Sequence, residues 1–141
     1  MRVGITRVDE TLPLPQYATD GAAGFDFYSR ERAVIEPGAL AAIPGNVIVA
    51  VPEGHVLIVA LRSSAPLKKG LIIPNGIGVI DRDYCGPEDE VKILVYNTRE
   101  SAVTVERGER IAQGLIVPLP RVEWDERPAG GLSRGGFGST G

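Results

Sequence analysis

Residues 47–61 read Val-Ile-Val-Ala-Val-Pro-Glu-Gly-His-Val-Leu-Ile-Val-Ala-Leu, and this stretch decides the fold class. Two short apolar runs rich in β-branched residues flank the turn signal Pro52-Glu53-Gly54. Valine and isoleucine fit the pleated surface of a strand, whereas proline and glycine end one. The stretch therefore predicts two β-strands, at 47–51 and 55–61.

The same pattern recurs along the chain. Apolar runs bounded by turn residues also lie at 3–8, 91–97, 103–105 and 111–119. Glycine (18) and proline (11) make up about a fifth of the 141 residues, so long helices are not expected. Regular short strands with Gly/Pro turns are typical of an all-β barrel or sandwich.

One helical turn is predicted after Arg62. The sequence Ser63-Ser64-Ala65-Pro66 offers a hydroxyl cap and an early proline, and Gly70 ends the turn. The last segment, residues 129–141, has almost nothing with which to pack a core. We expect it to be a mobile arm appended to a domain of residues 1–128.

Composition excludes several function classes. The net charge of −3 excludes a strongly basic nucleic-acid binder. One Cys and one His exclude an intrachain disulfide and a Cys/His zinc cage. No apolar run approaches the roughly 20 residues that cross a bilayer, and the charged N-terminus is unlike a signal peptide. We expect a cytoplasmic protein with no nucleic-acid or membrane partner.

Two polar stretches suit a phosphate ligand. Arg62, Ser63 and Ser64 follow the apolar run that ends at Leu61, and a guanidinium fork with two hydroxyls can hold phosphate oxygens. Gln113, in Gly-Glu-Arg-Ile-Ala-Gln, could donate to a phosphate as well. Taken alone, the first stretch is more simply explained as a capped turn with a solvated Arg62, and the second as a hairpin entry with solvated polar side chains.

A third stretch, residues 75–86, carries a possible general base. Asn75 and two nearby glycines indicate a hairpin that exposes backbone amides. Asp81 follows Val-Ile at a strand end, from which a carboxylate can accept a proton. A simple Asp turn and a packing role for Tyr84 remain open alternatives. Cys85 is expected to be a buried or partly buried, inert thiol.

Two further candidates lie near the ends of the chain. Asp26 stands between Phe25 and Phe27, where it could hold metal-bound water or be an exposed acid on a half-buried strand. Phe137 stands alone among glycines with Arg134 close by, and a lone aromatic in such a tail can stack on a base.

The order of these stretches is more specific than any one of them. Together they resemble the five motifs of the trimeric dUTP pyrophosphatase (dUTPase) family. The matching segments, in family order, are Ala23–Ser29, Arg62–Pro66, Gly78–Gly86, Gly108–Gln113 and Gly135–Gly141.

The resemblance implies a jelly-roll-like β-barrel subunit, a dUTPase-like β-clip, that assembles as a homotrimer with active sites shared between chains. It implies hydrolysis of dUTP to dUMP and pyrophosphate with Mg²⁺, which limits uracil incorporation into DNA and supplies dUMP for dTMP synthesis.

The resemblance also assigns roles to residues. It makes Asp81 the base that activates water and Tyr84 the aromatic beneath the deoxyribose. Asn75 and Gly78 fall on the uracil-reading loop, and Asp26 is associated with the metal through water. The remaining substrate contacts implied are Arg62, Ser63, Ser64, Gln113 and Phe137.

Two departures from the family pattern stand out. Residues 87–90 form an apparent insertion before Val91, expected to make an acidic bulge. In the fifth motif Leu132 occupies the usual arginine position, so Arg134 becomes the candidate phosphate contact.

Two alternatives stay open. A dCTP deaminase-like enzyme shares the fold and an Arg-Ser-Ser motif, but its catalytic Glu has no counterpart in residues 91–97. A non-catalytic nucleotide-sensing relative would keep the fold without needing Asp81.

Overall fold

The computed structural model describes residues 1–136, which form twelve β-strands and one short π-helix, Ala65–Lys69. The strands are β1 Gly4–Arg7, β2 Gln16–Tyr17, β3 Phe25–Phe27, β4 Ala33–Ile35, β5 Leu40–Pro44, β6 Val47–Ala50, β7 His55–Leu61, β8 Leu71–Ile72, β9 Gly78–Ile80, β10 Lys92–Asn97, β11 Val103–Val105 and β12 Ala112–Pro118.

The strands pair into four sheets. Their orders are β1-β6, β5-β10-β8, β11-β4 and β2-β3-β12-β7-β9. The five-stranded sheet positions the site. Its centre is β12, which pairs with β7 from His55 opposite Pro118 to Leu61 opposite Ala112.

A single hydrophobic core lies among the sheets. Its largest fully buried side chains include Phe27, Ile35, Ile43, Leu57 and Leu71. Complete burial of such a side chain stabilises the fold by about 1.5–3 kcal/mol. Alternation along β10 shows how the sequence specifies this core, because Ile93 and Val95 are buried while Lys92 and Leu94 are exposed.

The all-β, jelly-roll-like prediction is confirmed. The strand predicted at 55–61 is β7, the one at 103–105 is β11, and the helical turn after Arg62 is present. Gly70 ends that turn at φ +65°, a conformation that favours glycine. Ser64 occupies the N-cap position, but its side chain makes no cap hydrogen bond. The strands form four sheets rather than one closed barrel among the described residues.

The predicted hairpin around Asn75 is wrong. β8 pairs with β10 and β9 pairs with β7, so the loop that contains Asn75 joins two different sheets. The structure has a turn at Pro74 and Asn75, but the short strands on either side of it pair with strands of two different sheets rather than with each other.

Beyond β12 the chain leaves the sheet. Residues 119–136 contain no helix or strand, and Trp124 in this segment is 92% exposed. Within residues 1–136, no helix is long and apolar enough to cross a membrane.

Candidate active site

A buried carboxylate between two arginines forms the first part of the site. Asp26, in β3, is 4% exposed. Its Oδ1 lies 3.3 Å from Arg62 Nε, and its Oδ2 accepts a hydrogen bond from Arg110 Nη1 at 3.2 Å. The alternative of an exposed acid is therefore wrong, because the two guanidinium groups compensate the burial of the charge.

Strand register brings this cluster together. In the five-stranded sheet Asp26 pairs with Gln113 of β12, which pairs with Ala60 of β7. Just beyond β7, the backbone N–H of Arg62 donates to the Ile111 carbonyl at 2.8 Å. Three sequence-distant motifs thus meet at one end of the sheet.

Gln113 is held closely in place at this end. Its Nε2 donates a long hydrogen bond, 3.4 Å, to the Leu61 carbonyl. A Cβ on Gly24 would lie 2.9 Å from Gln113 Oε1 and 3.2 Å from the Gly114 carbonyl oxygen, so a larger residue at position 24 would displace the carboxamide. Ser63 is exposed and Ser64 half-buried beside Arg62, which leaves donor groups at the surface of the same cluster.

Asp81 lies at the other end of the sheet. It follows β9 directly, is exposed, and borders an open cleft of about 850 Å³. Arg82 and the chain segment 119–121 line the same cleft. Asp81 is therefore accessible to water and to a ligand, as a general base must be.

Tyr84 is half-buried against its own loop. Its backbone N–H donates to the Asp81 carbonyl at 3.2 Å, and its Oη donates to the Glu90 carbonyl at 3.1 Å. Asn75 is exposed, and Gly78 pairs with Val59 at the edge of the sheet. Asn75, Gly78 and Tyr84 are not among the residues that line the cleft beside Asp81.

The two parts of the site are far apart within one chain. Ile80 pairs with Leu57, so Asp81 lies beside Val56, near the start of β7, whereas Arg62 follows its end. At about 3.3 Å per residue, the two positions are separated by roughly 20 Å along the strand. One chain therefore does not bring the Asp81 carboxylate and the Arg62 guanidinium together.

Two expectations about nearby residues need correction. Cys85 is exposed and lines the cleft rather than being buried. The insertion at residues 87–90, expected to form an acidic bulge, is not wholly exposed to solvent either. Residues 86–89 form a turn, but Glu90 is 7% exposed and its carboxylate bonds to Arg30. Sequence reasoning missed this pair because the two residues are 60 positions apart and neither belongs to a recognisable motif.

The tail candidates are only partly described. Arg134 is exposed in the segment that follows β12, and Phe137 lies outside the described residues. Within residues 1–136, no group of three or more His, Cys, Asp or Glu side chains could hold a metal ion by itself.

Comparison with known proteins decides the family. The family model described as dUTPase matches residues 10–141. The chain belongs to the dUTPase family. A deoxyuridine 5'-triphosphate nucleotidohydrolase from Caulobacter vibrioides is 42% identical over 137 residues, which cover 92% of this chain and 86% of that protein. One from Dictyoglomus turgidum is 38% identical and covers 100% and 99%.

Solved dUTPase structures share the fold. The crystal structure of dUTPase from Streptococcus mutans superposes with a TM-score of 0.80 at 36% identity, covering 86% of this chain and 99% of that chain. A mutant of the Staphylococcus bacteriophage 80alpha dUTPase, solved with dUpNHpp, gives a TM-score of 0.84 at 28% identity and covers 99% and 98%. The dUTPase resemblance of the five motifs is thereby confirmed at the level of family and fold.

Proposed function

We propose that this protein is a dUTP diphosphatase that hydrolyses dUTP to dUMP and pyrophosphate. One observation carries the proposal: an accessible carboxylate, Asp81, and an arginine-rich cluster around Asp26 occupy the motif positions of a family whose relatives are named dUTP nucleotidohydrolases. The phage dUTPase structure with dUpNHpp supports a nucleotide ligand for this fold.

Asp81 acts as the general base in this reaction. It takes a proton from a water molecule whose oxygen bonds to the α-phosphorus. The bond from that phosphorus to the oxygen bridging the β-phosphate breaks, and pyrophosphate leaves. No covalent enzyme intermediate is needed, so the exposed Cys85 has no part in the step.

The arginine cluster binds the triphosphate. Arg62 presents its guanidinium beside the hydroxyls of Ser63 and Ser64, and Gln113 adds an amide donor from β12. Asp26 orients both arginines, because its Oδ1 forms an ion pair with Arg62 and its Oδ2 accepts a hydrogen bond from Arg110. Their remaining N–H groups therefore point in fixed directions. Fixed donors lose little entropy when the phosphates bind.

A magnesium ion fits this site only if the substrate's phosphates supply some of its ligands. Protein-bound Mg²⁺ takes one or two carboxylates, substrate phosphates and water. Each oxygen of Asp26 has one arginine contact and keeps capacity to accept from a water, which suits an indirect contact. When bound, Mg²⁺ neutralises phosphate charge. Asp26 would hold the metal's water, and Arg62 would share the charge neutralisation.

The loop at 75–78 and Tyr84 select the nucleoside. The loop that joins β8 to β9 is exposed at residues 74–77. It offers the backbone of Asn75 to the uracil edge, and Gly78 adds its own backbone at the start of β9. Tyr84 lies beneath the deoxyribose, where its ring leaves no room for a 2′-hydroxyl. In the tail, Arg134 contacts a phosphate and Phe137 stacks on the uracil.

The separation of the two ends of the sheet supports a homotrimer. Asp81 and Arg62 serve one substrate only if they come from different chains, because roughly 20 Å separates them in a single chain. A closed ring of three identical chains supplies three equivalent sites of this kind. The arm, residues 129–141, closes over a neighbouring chain's site.

The substrate assignment is tested by hydrolysis of dUTP, UTP, dCTP, dTTP, dATP and dGTP with Mg²⁺. We expect pyrophosphate release from dUTP to exceed that from every other nucleotide. Equal hydrolysis of all six would contradict the proposal, and ammonia release from dCTP would instead support the deaminase alternative.

Replacing Tyr84 by alanine is expected to narrow the preference for dUTP over UTP. Loss of the ring removes the barrier to the 2′-hydroxyl, so the ratio of kcat/KM values should fall by about 10–100-fold. Tyr17→Ala, at an exposed tyrosine of the sheet edge, is the matched control. An unchanged ratio in Tyr84→Ala would refute the steric role.

A further inference from the structure

Glu90 is a buried charge outside the motifs discussed above. The residue is 7% exposed, yet its carboxylate accepts three hydrogen bonds. Arg30 Nε donates to Oε1 at 2.8 Å and Arg30 Nη2 donates to Oε2 at 3.0 Å, a bidentate pair. The backbone N–H of Asn46 donates to Oε1 at 2.9 Å. The Glu90 side chain is therefore fixed in position from two directions.

The surroundings of Arg30 favour its charged form. Hydrogen bonds from Arg30 to Glu90 raise the pKa of the guanidinium above its usual value, despite the opposing effect of burial. Glu31 also contacts Arg30, at 2.6 Å from Nη1. A buried ion pair is weak evidence for stability, because apolar residues of similar size often stabilise a protein as well. A fixed geometry is a better explanation for its presence here.

That geometry reaches the proposed active site through Tyr84. The carbonyl of Glu90 accepts the hydrogen bond from Tyr84 Oη at 3.1 Å. At its other end, Tyr84 donates its backbone N–H to the carbonyl of Asp81. Between them, Gly86 donates to Asp89 Oδ2 at 2.7 Å and closes the turn. The end of the loop is thus fastened by the Glu90 side chain and by the next residue, where the Val91 N–H donates to the Val47 carbonyl at 2.8 Å.

We propose that Glu90, fixed by Arg30, is a positioning residue for Tyr84 and thereby a determinant of sugar selectivity. The proposal rests on the role given above to Tyr84. Glu90 touches no substrate. It acts because its side chain, together with the Val91–Val47 backbone bond, anchors the carbonyl that receives the tyrosine hydroxyl. The ring therefore stays where a 2′-hydroxyl would collide with it.

The test compares Glu90→Gln with Glu106→Gln. Glutamine keeps the shape of Glu90 but weakens its bonds to Arg30, whereas Glu106 forms a longer, exposed pair with Arg32 at 3.4 Å. We expect Glu90→Gln to lower the ratio of kcat/KM for dUTP to that for UTP by about tenfold, since small displacements of a positioning group have large effects. Glu106→Gln should leave the ratio unchanged.

Tyr84→Phe tests the same link without disturbing the buried pair. It removes only the hydroxyl and should lower the ratio by a similar factor. In the double variant Tyr84→Phe/Glu90→Gln the loss should be no larger than the greater single loss, since both changes break one connection. Faster hydrogen exchange of residues 82–90 in nucleotide-free Glu90→Gln gives a readout that does not depend on activity.

Opposite outcomes would overturn the proposal. These are an unchanged selectivity ratio in folded Glu90→Gln, or losses that multiply in the double variant. If Glu90→Gln does not fold, an unchanged ratio in Tyr84→Phe overturns the proposal. If Tyr84→Ala also leaves the selectivity ratio unchanged, the role given to Tyr84 itself is wrong. If hydrogen exchange of residues 82–90 in Glu90→Gln matches the wild type, Glu90 does not position Tyr84, and the role of Tyr84 is unaffected.

Discussion

Replacing Asp81 by asparagine is expected to lower kcat by about 10²–10⁴-fold and to leave the KM for dUTP nearly unchanged. Asparagine matches the shape of the carboxylate but accepts no proton at neutral pH. Asp81 is exposed at the edge of the cleft, so the change leaves the core intact. Steady-state kinetics with dUTP and Mg²⁺ provide the measurement.

Glu53→Gln is the matched control for this variant. Glu53 is another exposed acid that lines the same cleft, and its contact with Arg82 is long at 3.4 Å. We expect its kcat to stay within about threefold of the wild type, because exposed pairs contribute little. Near-normal turnover in Asp81→Asn would remove Asp81 from the role of base.

Ending the chain after Gly130 is expected to reduce kcat/KM for dUTP by about 10²–10³-fold, while the proposed trimer stays folded. The truncation removes Arg134 and Phe137, which lie beyond the last strand, β12. Stacking of an aromatic on a base contributes roughly 1–3 kcal/mol, and an arginine–phosphate contact adds to it. Ordering the glycine-rich arm offsets part of that gain, at about 1–2 kcal/mol for each residue.

Single substitutions separate the two tail contacts. Arg134→Ala should reproduce part of the loss, and Phe137→Ala should reproduce a different part. Arg127→Ala is the control, because Arg127 pairs with Asp125 at the surface of the same segment. If the truncation abolishes activity and Arg134→Ala has no effect, the arm closes through other contacts. Arg134 then does not replace the family arginine whose position Leu132 occupies.

Much of the fold follows from local sequence signals. The run His55–Leu61 is bounded by Gly54 on one side and a polar motif on the other, so both ends of β7 were predictable. Gly70 likewise marked the end of the helical turn. Short strands such as β2 and β8 could not be predicted, because two-residue ladders depend on their partners rather than on their own composition.

The site was predictable in its residues but not in its arrangement. Motif order indicated Asp26, Arg62 and Gln113, whereas only strand register shows that they meet at one end of a sheet. The burial of Glu90 could not be predicted, because it depends on Arg30, a partner 60 residues away in the sequence. Local sequence patterns carry no information about an ion pair between distant residues such as Glu90 and Arg30. An acidic run such as residues 88–90 is more often exposed to solvent, so it gives no sign of a buried carboxylate.

The most direct test of a site shared between chains is complementation between two inactive variants. Asp81→Asn and Arg62→Gln are co-expressed with different affinity tags, and trimers that contain both chains are isolated by two successive purifications. In a cyclic trimer of mixed composition, one of the three sites combines an intact Asp81 with an intact Arg62 from the neighbouring chain. The account predicts that these mixed trimers recover about one third of wild-type dUTP hydrolysis, although each variant alone is inactive. Mixed trimers as inactive as their parents would contradict it.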